Sequence, residues 1–197
     1  MRKKRGAYHH GQLRDSIVKD ALVIVRTDGV RGLSLRDVAR RLGVSHQAPY
    51  RHFADKRALL DAIAHEGFDS LVAALRAPTA HATDPTARLI ELGCIYVAFA
   101  RDHTAHYRVM FAEPDTESGS PPPPDQTGSA FHVLAEAVAD GQARGVFVAG
   151  STRELAITSF AFVHGLAMLV IDGKLGAISA AAIERLIERH VVGTVNR

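Results

Sequence analysis

The chain has 197 residues, one cysteine (Cys94) and no tryptophan, which excludes an intrachain disulfide and a cysteine-built zinc cluster and fits a reducing, cytoplasmic setting. Its net charge of +3 hides an asymmetry: residues 1–57 carry 14 Lys and Arg against 5 Asp and Glu, and the remainder carries 10 against 16. A basic head on an acidic body points to a polyanion as the head's partner and a different task for the body, the alternative being a plain solvated basic surface.

The N-terminus, "MRKKRGAYHHGQLRD", is basic, but no apolar stretch follows it, so it is not read as a secretory signal. Residues 12–28 are expected to be helical, with Leu13, Ile17, Ala21, Ile24 and Val25 at helical spacing and Gly29 as the stop. Ser34, with Asp37 three residues on, opens a two-turn helix bearing Leu35, Val38, Ala39 and Leu42 on one face, and Gly43 ends it. Ser45 is expected to cap a short helix over 46–53, with Pro49 tolerated near its entrance. Asp55 opens a longer helix to about Ala77, and Asp84 with Pro85 starts another to about Asp102. A short helix over 104–113 follows. Residues 114–127, with Pro121–Pro124, read as an exposed link. Helical spacing resumes over 128–144, from Ser151 or Thr152 to near Gly173, and over 179–192.

No strand pattern competes, so the fold class is all-α with about nine helices. The expected domains are 1–57, a three-helix head, and 58–197, a helical body. The segment 156–171 is apolar almost all round, and such a helix needs cover on every side. It is short for a bilayer span and His164 interrupts it, so the expected cover is a second subunit, or else a monomer's own core. Gly165 within it fits a close helix–helix approach.

The pair 34–42 and 46–53, joined at Gly43 and Val44, is a helix-turn-helix arrangement. In such a unit the first turn of the second helix meets base edges in the major groove. That places His46, Gln47 and Ala48 at the bases, where Gln suits adenine, His suits guanine and Ala can touch a thymine methyl. Tyr50, Arg51, His52 and Lys56, with Ser45 at the helix entrance, fall to the sugar-phosphate backbone. Arg2, Lys3, Lys4 and Arg5 form a basic arm for phosphates or the minor groove of flanking DNA, or else a solubilising tail.

The stretch "LSLRDVARRLGVSHQAPYRHFADKRALLDAI" resembles the DNA-binding domain of TetR/AcrR-type transcriptional regulators, with Tyr50, Phe53 and Lys56 at the family's Tyr-x-x-Phe and Lys positions. "RDHTAHYRVMF" and "FAFVHGLAML" resemble the effector domain named for a Trp-His-Gly motif, with Val163 in place of the Trp and His164 and Gly165 retained. The resemblance implies a homodimer joined by the last two helices of each subunit, here through Phe162, Leu166, Leu169, Ile183, Leu186 and Ile187. It implies a palindromic double-stranded DNA operator, usually under repression, and a small effector bound in the body that shifts the long helix after the head and releases DNA.

A mostly apolar effector would find candidate lining residues in Phe68, Cys94, Tyr96, Phe99, Tyr107, Met110, Phe111, Phe131, Phe160 and His164, each also readable as plain core. His103 and His106, spaced i, i+3, and the adjacent His9 and His10 make only a weak metal set, so no metal and no cofactor is expected. There is no phosphate loop, nucleophile elbow or paired-carboxylate pattern, so no catalysis is expected. An activator of the same fold, or an architectural DNA-binding protein with a solid body and no effector, are the other readings.

Overall fold

In the computed structural model, which describes residues 10–77, 83–112 and 128–195, every regular element is helical. The order is α1 (His10–Gly32), α2 (Leu35–Leu42), a 3-10 turn (Pro49–Arg51), α3 (Lys56–Arg76), α4 (Pro85–Asp102), α5 (Thr104–Met110), α6 (Ala130–Ala143), α7 (Thr152–Ile171), α8 (Ala180–His190) and a closing π turn (Val191–Val195). The basic arm and the proline-rich link lie outside the described residues.

The expected boundaries have visible causes. Gly29 leaves helical geometry at φ 73°, so α1 kinks there and only a short turn follows. Ser34 caps α2 by accepting the Asp37 N–H, and Asp84 caps α4 by accepting from Thr86 and Ala87. Gly43 sits in the left-handed region at φ 67°, and its N–H returns to the carbonyls ending α2, which turns the chain toward the Pro49 segment. Asp55 accepts the Ala58 N–H at the start of α3. Ser129, not anticipated, does the same for α6.

The chain forms two compact units. The first holds α1, α2, the 3-10 turn and α3 through Gly67, together with residues from Ala105 onward in α5. Its core joins Ile17, Ile24 and Val25 of α1, Leu35 and Val38 of α2, Phe53 just after the 3-10 turn, Leu59 and Ile63 of α3, and Ala105 and Val109 of α5. The expected 1–57 segment is therefore supplemented by a piece of chain far along the sequence. Methionine packs closely there: a Cβ on Gly67 would lie 2.6 Å from Met110 Sδ.

The second unit holds the rest of α3, then α4, α6, α7 and α8. α4, α6 and α7 pack on one another, and α8 packs on α4. The α6–α7 connection is pinned by Gln142, whose Nε2 donates to the carbonyls of Val148 and Gly150 while its Oε1 accepts from Thr152. Phe147, buried, folds back onto Gly141, where a Cβ would lie 2.1 Å from the ring. Within the single subunit α7 is covered on one side only. It buries Ala156, Ser159, Leu166 and Ala167 and leaves Ile157, Ala161, Gly165 and Leu169 exposed. It is also long and apolar enough to cross a membrane by length and composition, yet one face is packed on α4 and α6 as a core helix is.

Candidate nucleic-acid interface and effector cavity

The helix expected over 46–53 is replaced by tighter turns. The Ser45 carbonyl accepts the Ala48 N–H at 2.9 Å, three residues on, because residue 49 is a proline with no N–H to offer at the fourth. Residues 46–48 make a turn and Pro49–Arg51 a single 3-10 turn, continued by the His52 and Phe53 N–H groups on the Pro49 carbonyl at 2.9 and 3.0 Å. Ser45 therefore acts through its carbonyl; the residue at the cap position is Ala48, which supplies no side-chain bond.

The turn is anchored from below. Pro49 and Phe53 are buried, α2 packs against the turn, and Arg14 of α1 places its guanidinium 5.3 Å from the Phe53 ring centre. Arg41 donates to both carboxylate oxygens of Asp20 at 2.8 and 2.9 Å, tying α2 to α1. Above these anchors Ser45, His46, Gln47, Tyr50 and Arg51 are exposed, and Ala48 and His52 are half-buried. Lys56, expected at the phosphates, also has a partner within the subunit: its ammonium donates to the Arg31 carbonyl at 3.1 Å, joining the start of α3 to the end of α1. The ties through Arg14, Asp20 and Arg41 carry no signal in sequence spacing, since each joins residues 21 or more positions apart.

The second unit encloses a cavity of about 50 Å³, lined by residues of α3, α4, α6, α7, α8 and the π turn. Of the ten expected lining residues, Tyr96, Phe131 and Phe160 face it. The Phe160 ring meets Tyr96 and Phe131 edge-on at 6.0 and 6.3 Å. His164 stands behind them, its Nδ1 hydrogen-bonded with the Tyr96 hydroxyl at 3.0 Å. The remaining wall was missed: Leu75, Leu89, Leu92, Gly93, Ala130, Leu134, Ser159, Val163, Ile187, His190 and Val191. A signal for part of it existed, because Ser159 and Val163 lie at i, i+4 on one face of α7, with Ser159 a hydroxyl on an otherwise apolar stripe.

The other expected lining residues do not reach the cavity. Tyr107, Met110 and Phe111 belong to the first unit, where Tyr107 is fully buried and its ring lies 4.8 Å from Phe111. Phe68 is half-buried, and the Phe99 ring lies tilted against His103 at 4.7 Å. Cys94 is half-buried on α4, and burial, then Glu184 and Glu91, push its thiol up to about 11, so it is held as an unreactive thiol. Burial likewise holds His164 and His190 below the ordinary imidazole value. Among the described residues no group of three or more His, Cys, Asp or Glu is arranged to hold a metal ion.

The six expected interface residues divide. Leu166, Ile183 and Ile187 are buried inside the subunit, on helices that both pack against α4. Leu169 and Leu186 are exposed, and Phe162 is half-buried with its ring stacked on His190 at 4.1 Å. Ile157, Leu175 and Val192 extend the exposed apolar set.

Residues 89–193 match the tetracyclin repressor-like C-terminal domain, and residues 17–63 match the bacterial regulatory proteins of the tetR family. A protein of unknown function from Rhodococcus sp. RHA1 is similar in structure at 33% identity and TM-score 0.79, covering 98% of this chain and all of that one. A bacterial regulatory protein in the tetR family, also from Rhodococcus RHA1, has 26% identity and TM-score 0.70 over 90% of this chain and 96% of that one. The class C tetracycline repressor protein of Escherichia coli is 47% identical over 51 residues, 26% of this chain and 23% of the repressor. The chain thus spans under a quarter of that curated relative's length.

Proposed function

The chain belongs to the TetR family of bacterial regulators, a DNA-binding transcriptional regulator rather than an enzyme, and from that premise we propose that it is a repressor released from DNA by a small effector. It binds a palindromic operator as a homodimer in the cytoplasm, and a mostly apolar molecule in the second unit lowers its operator affinity. His46 and Gln47 read base edges from the Pro49 turn, and Tyr50 and Arg51 hold phosphates. The exposed apolar residues of α7 and α8 meet their copies across a two-fold axis.

The observation that carries the reading is α3. This one helix has Lys56 bonded to the Arg31 carbonyl at its start and Leu75 in the cavity wall near its end. A molecule that widens the cavity acts on the helix that also supports the reading head. The cavity is also what separates this reading from an architectural protein with a solid body. Coupling of this kind needs a difference of about 1–3 kcal/mol between the two states' affinities for the effector.

The test is selection of bound sequences from a random DNA pool, then a screen for molecules that release the selected duplex. A palindromic consensus, bound by a dimer and released by a small apolar compound, is the expected outcome. Tight binding without sequence preference would overturn it. A reporter promoter overlapping the operator separates the signs of control: a repressor raises expression when deleted, an activator lowers it.

A further inference from the structure

Two polar atoms in the cavity wall have nothing to bond. Ser159 Oγ and His190 Nε2 are buried without a hydrogen-bond partner, and both residues line the cavity. Ser159 is 4% exposed, midway along α7. His190 is the last residue of α8, with its ring fixed by the parallel stack on Phe162. Orphaned buried groups are uncommon in native proteins and call for a partner, either an ordered water or a bound molecule. The third polar group there, the Tyr96 hydroxyl, is already engaged with His164. The rest of the wall is Leu, Ile, Val, Ala, Gly and Phe, and it contains no Asp, Glu, Lys or Arg.

We propose that the cavity takes a neutral, mostly apolar molecule with a single hydroxyl or carbonyl group, which bonds Ser159 Oγ and His190 Nε2. The proposal rests on the effector reading above and gives that effector its chemical class. A carboxylate or an ammonium ion would be buried with no counter-charge, and a pure hydrocarbon would leave both orphans unpaired. Burial keeps the His190 ring neutral, so it offers no cation to an anionic ligand. At about 50 Å³ the cavity has roughly a third of the room of one that holds benzene, so a ligand of six or more heavy atoms must displace part of the wall. Leu134, Phe160 and Val163 are among the wall residues that are half-buried rather than enclosed.

Four probes of one shape test it by calorimetric titration of the full chain at neutral pH: cyclopentanol, cyclopentane, cyclopentanecarboxylate and cyclopentylammonium. Cyclopentanol is expected to bind about fivefold tighter than cyclopentane and at least about tenfold tighter than either ion. Ser159→Ala is expected to weaken cyclopentanol about fivefold, leave cyclopentane unchanged and leave the unliganded melting temperature at or above the parent value, because it removes an unpaired buried hydroxyl. His190→Phe keeps an aromatic ring on Phe162 and should weaken cyclopentanol in the same way. An ion binding as tightly as the alcohol, equal losses for all probes, a lower melting temperature in Ser159→Ala, or no binding by any probe would each overturn the proposal. Operator release is scored separately. Cyclopentanol binding without release leaves the cavity chemistry standing and sinks the effector reading; release by a charged compound that fills the cavity does the reverse.

Discussion

Replacing Leu169 or Leu186 with glutamate should convert a dimer into folded monomers. Leu169 is 44% exposed and Leu186 is 41% exposed in the single subunit. Fully burying a leucine is worth about 1.5–3 kcal/mol, so covering the bare two-fifths is worth about 0.6–1.2 kcal/mol, and two-fold symmetry counts each side chain twice. With Ile157, Leu175 and Val192 treated alike, the exposed set supplies roughly 6–12 kcal/mol, against an association cost of about 4–15 kcal/mol. On the homodimer reading, an interface of this size is therefore sensitive to any single loss. A glutamate removes roughly 1.2–2.4 kcal/mol per dimer and buries two unpaired carboxylates at several kcal/mol more. The dimer dissociation constant should rise by at least about a thousandfold, since 4 kcal/mol is about three decades. Sedimentation velocity at micromolar concentration reads the outcome, and a thermal melt checks that each monomer stays folded. Leu166→Glu is the contrast: that side chain is buried in the subunit, so the charge should unfold the protein rather than split a dimer. Glutamate variants at both 169 and 186 that remain dimeric, with unchanged operator affinity, would refute the interface.

Gln47→Ala should change base preference at one operator position by about 1–3 kcal/mol, read by competition among single-base operator variants. Arg51→Ala should instead weaken binding to all sequences alike and reduce the salt slope by about 1, read by anisotropy titrations at several salt concentrations. Pro49→Leu restores an N–H where the Ser45 carbonyl now accepts from Ala48 at 2.9 Å, so it should lengthen the reading turn into helix and shift operator preference; a selected consensus identical to the parent's would leave Pro49 as packing alone. Gly141→Ala should lower stability by about 1–2 kcal/mol in a denaturant titration, because overpacking against the enclosed Phe147 ring costs about 1–3 kcal/mol and outweighs the helix propensity gained. Burial lowers the His164 and His190 pKa below the ordinary 6.5, so the unfolded chain binds more protons just below that value. Their contribution to stability should be complete above about pH 6.5 and decline as pH falls below it, and His190→Phe should flatten that part of a melting-temperature profile.

The helical architecture was legible because its signals are local. Ser34, Gly43, Asp55 and Asp84 each act within a few residues, and they bound helices where the sequence placed them. Pro49 is legible as an entrance residue, but the full extent of its effect is not, because losing one N–H leaves the Ser45 carbonyl free to close a tighter turn. Non-local partners were the failure. Nothing in sequence spacing shows that Lys56 would bond the Arg31 carbonyl, or that α5 would join the core of Ile17 and Leu59. The cavity was found through its aromatic residues and missed through its aliphatic and polar ones, since aromatic size is visible in a sequence and a serine's orientation is not. The interface divided for a related reason. Helical period groups Leu166 with Leu169 and Ile183 with Leu186, but which side of α7 and α8 meets α4 is settled only by packing.

The small cavity bears directly on how an effector could act. A ligand that fits two states equally shifts no equilibrium, however tightly it binds. A pocket already open at ligand size in the DNA-bound state would risk that outcome. A cavity of about 50 Å³ admits no molecule much larger unless its wall moves, so such a molecule favours a wider state over one that keeps this narrow form. Leu75 is buried in that wall, and its carbonyl accepts from Arg88 Nη2 at 2.8 Å, which holds the end of α3 to α4. On the effector reading, widening the cavity works against that bond and moves α3, the helix whose Lys56 is fastened to α1. Release then needs no strong contact between effector and protein. It needs only that the effector be too large for the narrow state, and Arg88→Ala should raise effector sensitivity, seen as release of operator at a lower concentration.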